Sequence, residues 1–401
     1  MSFRIRKMLA ASVAGAAFVA AAGAAQAEDI KIGIILGFTG PLESITPGMG
    51  GSAELAMKEV SDSGLLLDGS TLTSVRADST CIDAAAATAA AERLVTSDNV
   101  AAIMGADCSG VTIAIANNVA VPNGVVMVSP SATSPALSDI DDKDYFFRTA
   151  PSDARQGEVL TEVLGSYDIK SVAVSYTNND YGKGFSDAFV AAFEAAGGKV
   201  TINAPHDDGK GDYSAEVGAL AAAGGDVLVV LGYVDQGGVG IIRSAVDSGA
   251  FDRFALGDGM YGQSLIDAIG DDLEKTIGVI PGAEGEGSTK FAELAKAAGL
   301  DPSSSYTGES YDAAALIALA IQKAGSADRT AIRDAILSVA NGPGEPILAG
   351  ELAKGLQILK DGGDIDYVGA TNVELIGPGE AAGTYREYIV EGGAFKTVQF
   401  R

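Results

Sequence analysis

Short, uninterrupted apolar runs recur along this chain, and each stops within a residue or two at a glycine or a group of hydroxyls. Ile30–Leu36 (IKIGIIL), Val100–Met104, Val125–Val128, Ser171–Tyr176 (SVAVSY) and Asp226–Leu231 (DVLVVL) are of this kind. Runs of that length, with little polar alternation, read as strands buried on both faces. Between them lie stretches with helical spacing of small and apolar residues, near 52–60, 84–95, 157–167 and 184–196. Strand and helix in alternation predict an α/β fold built on a doubly wound parallel sheet. The pattern restarts near Arg148-Thr-Ala-Pro151, so two such units follow one another. The expectation is two lobes joined by a multi-strand hinge. Residues 28–148 form the first lobe, completed by about 282–355, and 149–281 form the second, completed by about 356–401. Helices near 291–299, 309–324 and 329–340 are expected to return over the first unit, and the strand-like tail from 367 to extend the second.

The first 27 residues are read apart from this fold. Arg4, Arg6 and Lys7 precede an uncharged run from Met8 to Ala25, and Ala25-Gln26-Ala27 is a small-x-small cleavage site. A membrane anchor is the competing reading, but the run is rich in Ala and Gly rather than Leu and Ile. A leader cut after Ala27 implies export to the periplasm. The balance of 27 Lys and Arg against 53 Asp and Glu gives a net charge of -26. That excludes nucleic acid and an anionic membrane surface as partners, since both need a basic footprint. In an oxidising compartment, Cys81 and Cys108 read as a disulfide whose loop contributes about 3 to 4 kcal/mol. Two cysteines and one histidine, His206, predict no metal centre. There is no G-x-S-x-G elbow, no H-E-x-x-H, and no G-x-G-x-x-G opening a helix after the first strand. Neither an enzyme nor a cofactor is expected.

Polar or glycine-rich segments follow the strand ends. In the first unit they are Gly37–Pro41, Asp107–Gly110 and Ser129–Ser134; in the second, Asn178–Gly182, Gly232–Gln236 and Gly257–Gly259. Open α/β sheets bind small molecules at such ends, so a cleft between two units gathers these segments. The first set offers hydroxyls and N–H donors, suited to a carboxylate. The second offers Tyr181, Tyr233 and Asp258, an acceptor for an ammonium between aromatic walls. A zwitterion satisfies both halves. Asp107 is read as a cap on the helix that follows it, and Asn179 and Asp180 equally as turn residues or ligand contacts. His206, in PHDDGKGD, and the acidic run 139–144 are read as solvated.

These segments carry a resemblance. IKIGIILGFTGP at the start, Cys81 with Cys108-Ser109, SPSATSP at 129–135, YFFRTAPSD at 145–153, NNDYGKG at 178–184, LGYVDQGG at 231–238 and ALGDG at 255–259 stand in order along the chain. Together they resemble the leucine/isoleucine/valine-binding protein family, the type I solute-binding proteins of branched-chain amino-acid ABC importers. The resemblance implies that Ser109 and Thr133 hold a ligand carboxylate, with Ser131 and Ala132 contributing backbone groups. It implies that Asp258, where the family usually has Glu, binds the ammonium beside Tyr181 and Tyr233. It also implies the Cys81–Cys108 disulfide, and a monomer that closes on its ligand and hands it to a membrane permease. A ligand-sensing receptor subunit of the same fold would share this sequence pattern. One loop departs: GFTGPLESITPGMGG lacks the aromatic that family members often carry after the GP, and Glu43, Ser44 and Thr46 stand there instead. That leaves the ligand side chain open to a polar group, and admits a small amide or carboxylate ligand.

Overall fold

The computed structural model describes residues 27–401, so the leader expected over 1–27 lies, apart from Ala27, outside the described residues. Strands β1 (Asp29–Leu36), β2 (Thr71–Asp78), β3 (Ala102–Gly105), β4 (Met127–Ser129) and β5 (Phe146–Arg148) run parallel in the order β2-β1-β3-β4-β5. Strands β6 (Ser171–Thr177), β7 (Lys199–His206), β8 (Val227–Leu231), β9 (Phe254–Leu256) and β10 (Ile277–Pro281) repeat that order as β7-β6-β8-β9-β10. The central strands are apolar along their length because helices cover both faces of each sheet; all five residues of β8 are buried. In each sheet the strand order reverses beside the first strand, which opens a crevice at the carboxyl ends.

The Thr46–Ser63 helix starts earlier than the apolar spacing predicted, with Pro47 in its first turn, and ends at Gly64 with φ +65°. It packs against the Thr307–Ala324 helix, which is buried around nearly its whole circumference and lies on the first sheet. That helix, with Glu286–Ala297 and Arg329–Ala340, returns after β10. The disulfide between Cys81 and Cys108, with Cα atoms 5.2 Å apart, ties the loop after β2 to the loop after β3. Among the described residues no helix is long and apolar enough to cross a membrane.

The tail does not all join the second sheet. β11 (Glu345–Leu348) and β12 (Ile365–Gly369) form a separate two-stranded sheet, and β13 (Leu375–Ile376) and β14 (Glu380–Ala381) extend the first sheet beside β5. Only β15 (Tyr385–Val390) and β16 (Phe395–Phe400) extend the second sheet, antiparallel to β10. The physical reason is Arg148. Its side chain is 1 % exposed, its guanidinium pairs with the Glu380 carboxylate, and its backbone N donates to Gly379 O at 3.0 Å. A buried guanidinium needs such a partner, and the partner brings its segment to the first sheet. The chain therefore passes between the sheets after β5, after β10 and after β14, which makes a hinge of three strands.

Arg148 also braces the loop after β4. It donates to Ala132 O at 2.9 Å, Ser134 O at 3.0 Å and Ser138 Oγ at 2.9 Å. Arg148→Met leaves Glu380 and two buried carbonyls unmatched. Urea unfolding is expected to show a loss of about 3 kcal/mol, and an unchanged midpoint would remove this bracing role.

Candidate ligand-binding site

The first wall is built from the ends of β3 and β4. Gly105 has φ +125°, and a Cβ there would lie 2.1 Å from Ile35 O, so only glycine lets the loop turn this close to β1. The turn sets Asp107 over the sheet. Its Oδ2 accepts from Gly37 N at 2.9 Å and its Oδ1 from Ser79 Oγ at 3.0 Å. Asp107 thus ties three strand ends together and does not cap the Ser109–Ile115 helix, contrary to the expectation from sequence. Ser109 Oγ accepts from Ser134 N at 3.1 Å, which leaves its own O–H free to donate into the cleft. Ser131 Oγ donates to Asp107 O at 3.0 Å, while its N–H is held only loosely, 3.4 Å from Ser129 Oγ. Both backbone groups of Ala132 are engaged within the loop, its N with Ser129 Oγ at 3.0 Å and its O with Arg148. Thr133 lies behind the wall with its hydroxyl buried beside the Asp153 carboxyl, without a well-formed hydrogen bond to it.

The opposite wall comes from the second sheet. Asn179 caps the Asp180–Ala195 helix through Gly182 N at 3.1 Å, and that fixes Tyr181 in the first turn. The Tyr181 ring stacks on Tyr233 with centroids 5.1 Å apart. Its hydroxyl donates to Asp258 Oδ1 at 2.8 Å and accepts from Gly259 N at 3.2 Å. Asp258, 2 % exposed just after β9, also accepts from Gln156 Nε2 at 2.9 Å and from the Tyr306 hydroxyl. Burial still outweighs these donors and raises its carboxyl above the usual range.

A second acid, which the sequence reading did not single out, lies beside it. Asp153 opens the helix that follows the β5 crossing, one turn before Gln156, and its N donates to Thr133 O at 2.8 Å. Both of its carboxyl oxygens are buried without a partner among the described residues, as is Gln156 Oε1. Burial pushes the Asp153 carboxyl well up, and the neighbouring Asp258 charge pushes it further. The Thr133 hydroxyl and the Arg148 charge oppose this only in part. Arg148 cannot neutralise the acid, because its hydrogens go to the loop and to Glu380. No cation lies within ion-pair distance of either acid among the described residues.

Ser109, Ser131, Tyr181, Tyr233 and Asp258 line one cavity between the sheets; Ala132, Thr133, Asp153 and Gln156 do not. Tyr306 lines it as well, and it was not foreseen. Its backbone is left-handed, φ +58°, which is uncommon for an aromatic residue. Leu42, Ile45 and Met49 supply an apolar side. Glu43 and Ser44 of the same loop are exposed, and the buried Thr46 hydroxyl donates to Gly37 O at 2.9 Å. The polar residues that seemed to open the pocket to a polar side chain therefore face elsewhere. The enclosed volume is about 20 Å³, room for one water-sized body. The lobes are shut by Asp235, whose carboxylate accepts from Ser44 N at 2.8 Å and Ser264 Oγ at 2.7 Å, and by Ser134 Oγ donating to Asp180 O at 2.9 Å. His206 is not solvated, as expected, but buried at the end of β7. Its Nδ1 bonds Ser175 Oγ at 2.8 Å, and burial pushes it down to about 4.

Two sheets that meet at their switch points, with hydroxyls on one side and acids on the other, define a two-lobed α/β binding protein. The chain belongs to the periplasmic binding protein family, whose sequence pattern matches residues 29–346. This is a family of solute binders associated with ABC transporters, not of enzymes. The chain is 31% identical over 313 residues to the leucine-, isoleucine-, valine-, threonine- and alanine-binding protein of Pseudomonas aeruginosa, covering 77% of this chain and 82% of that one. Its fold is that of a leucine-binding protein from Thermotoga maritima, with a TM-score of 0.77 at 24% identity, covering 92% of this chain and 98% of that one. It is also that of a solute-binding protein from R. palustris in complex with 4-hydroxybenzoate, with a TM-score of 0.73 at 19% identity, covering 93% and 97%.

The raised Asp153 carboxyl has a consequence for stability. The folded chain binds this proton more tightly than the unfolded chain does. Stability is therefore present in full below the unfolded value near 4 and is lost as pH rises towards the folded one. Asp153→Asn is expected to flatten that fall, whose limiting slope is about 1.4 kcal/mol per pH unit for one proton. The ligand-free variant should then be the more stable protein at pH 8 by chemical denaturation. A parallel pair of pH profiles would show that Asp153 is not buried as an acid.

Proposed function

We propose that this protein is the periplasmic solute-binding component of an ABC importer, and that it holds a small aliphatic α-amino acid of the leucine/isoleucine/valine class as a zwitterion. The observation that carries this reading is the Asp258 carboxyl, buried on the cavity lining with no cation and with a second unpaired acid, Asp153, beside it off the lining. An ammonium supplies what they lack: donors for Asp153 and Gln156 Oε1, and a positive charge between two acids. Like charges 4 Å apart cost about 4 kcal/mol at an effective dielectric of 20, and an opposite charge recovers as much. The ligand carboxylate then faces the free Ser109 hydroxyl and the loosely held Ser131 N–H, with Thr133 behind them and Ala132 bracing the loop. Leu42, Ile45 and Met49 receive an aliphatic side chain, between the Tyr181–Tyr233 stack and Tyr306. A benzoate is disfavoured, because it brings a further negative charge beside the acid pair and no ammonium.

The remaining parts follow from this reading. Residues 1–27 are a leader removed on export. Residues 28–148 and 149–281 are the cores of two lobes. The monomer opens to admit the ligand, closes when Tyr306 yields Asp258 to the ammonium, and presents the closed shape to a permease.

A thermal-shift screen of the mature protein should show aliphatic amino acids raising the melting point and 4-hydroxybenzoate leaving it in place. By calorimetry, Asp258→Ala should abolish leucine binding, and Ser109→Ala should weaken it by about 1.5 to 3 kcal/mol through a lost hydrogen bond to a charged group. Wild-type affinity in both variants would refute the site. The acids hold a proton when no ammonium is present, so binding should expel it. Affinity is then lost as pH falls through the raised carboxyl range, and the apparent binding heat depends on the ionisation heat of the buffer. A buffer-independent heat at neutral pH would show that the acids are already ionised.

A further inference from the structure

Behind Tyr306 lies a second cavity, of about 110 Å³, at the hinge. Ile280 to Gly282, where the chain leaves β10, form one side of it, and Tyr306 forms the partition from the ligand cavity. Glu309 of the Thr307–Ala324 helix and Arg386 of β15 both face it. Glu309 is 5 % exposed; its carboxyl is met by its own backbone N–H and forms no ion pair among the described residues. Its backbone O is fixed by Thr149 Oγ1 at 2.8 Å, on the crossing after β5. Arg386 is half-buried; its Nε is buried without a partner, and the guanidinium, which sits by the Tyr261 hydroxyl, forms no ion pair among the described residues. The Tyr261 ring lies 4.9 Å from that guanidinium.

An acid and a base that share a cavity without closing on each other leave room for a third body. A buried, unmatched N–H of this kind costs about 1 to 3 kcal/mol, so an acceptor that reaches the Arg386 Nε is favoured. Burial and the nearby Asp312 push Glu309 up to about 8, against the pull of Arg386. Tyr306 is held protonated by its own burial. At neutral pH the cavity therefore holds one positive charge and an acid O–H that can donate. That combination suits a small anion with two acceptor oxygens, since a guanidinium fork and an O–H match the two sides of a carboxylate.

We propose that the hinge cavity is a binding site for a small monocarboxylate, seated between Arg386 and Glu309. The site is separate from the amino-acid cavity and does not rest on that assignment. Glu309 belongs to a helix packed on the first sheet and Arg386 to the second sheet, so an occupant spans both lobes in this closed form. Occupancy then favours closure, and by linkage an amino acid in the main cavity favours occupancy in return.

Acetate is the probe. Isotope-labelled acetate titrated into the mature protein at neutral pH and constant ionic strength should bind saturably and shift the amide resonance of Thr371, which lines the cavity. Arg386→Gln should weaken binding at least about tenfold, or about 1.4 kcal/mol. Arg386→Lys, which keeps the charge but loses the fork, should fall between the two and serves if Arg386→Gln does not fold. Glu309→Gln should still bind, because an amide also donates. It should not share the wild type's loss of affinity as pH rises through about 8. Absence of saturable binding in the wild type would overturn the proposal and show that Glu309 and Arg386 are bridged by water alone. Equal affinity in Arg386→Gln would place the acetate elsewhere and overturn it as well.

Discussion

Two carboxyls buried side by side without a cation are the constraint that organises this molecule. Asp153 and Asp258 both stand on the second lobe, one opening the helix after the first crossing and the other just after β9. Folding removes both from water, which disfavours their charged forms and makes each sensitive to the other. The one nearby buried cation, Arg148, spends its donors on the loop after β4 and on Glu380. It shapes the hydroxyl-bearing wall instead of neutralising the acids. Natural cores avoid such an arrangement unless a site needs it, and here stability is given up where a positive group is to be received.

Closure does not depend on that site alone. Asp235 bridges Ser44 of the first lobe and Ser264 of the second, outside the ligand cavity, and the Tyr306 hydroxyl holds Asp258 within it. These contacts let the closed form exist with its cavity collapsed to the size of one water. On the proposed amino-acid reading, a ligand acts by exchange: its ammonium replaces the Tyr306 hydroxyl as a donor and adds the charge a phenol cannot. Only this difference in free energy between the two occupants can shift the population of closed molecules.

The sheets and half of the cavity were legible in the sequence because both depend on local signals. A continuous apolar run that ends in a polar loop locates a strand end, and Ser109, Ser131, Tyr181, Tyr233 and Asp258 all sit at such ends. Asp153, Gln156 and Tyr306 were not legible, because their roles arise from crossings that join distant segments; Gln156 and Asp258 are 102 residues apart. The Asp-x-x-Gln spacing, which puts both side chains on one helix face, was the available hint. His206 was misplaced because its neighbours are hydrophilic, whereas β7 runs through it to pair with Thr177. The tail was misassigned because one buried ion pair, from Arg148 to Glu380, outweighs the pattern of the strands around it.

The loop that departs most from the family resemblance also says most about the ligand. Read as composition, Glu43, Ser44 and Thr46 suggest a polar pocket. Read in place, they alternate with Leu42, Ile45 and Met49, and the apolar set faces the cavity while Glu43 and Ser44 are exposed. Ser44 is occupied in the contact with Asp235, so the polarity of the loop serves closure and its apolar side serves recognition. Asp107, the remaining charged group on the lining, has both carboxyl oxygens engaged by Gly37 and Ser79. A ligand side chain with a hydrogen-bonding group would find no free partner on this side and would lose its hydration for nothing. Discrimination by side chain is then set by the fit of methyl groups against Leu42, Ile45 and Met49, where one methylene is worth only about 1 to 3 kcal/mol. On the proposed reading, such a pocket separates aliphatic from polar amino acids sharply and aliphatic ones from each other weakly, while the acid pair is what asks for an ammonium.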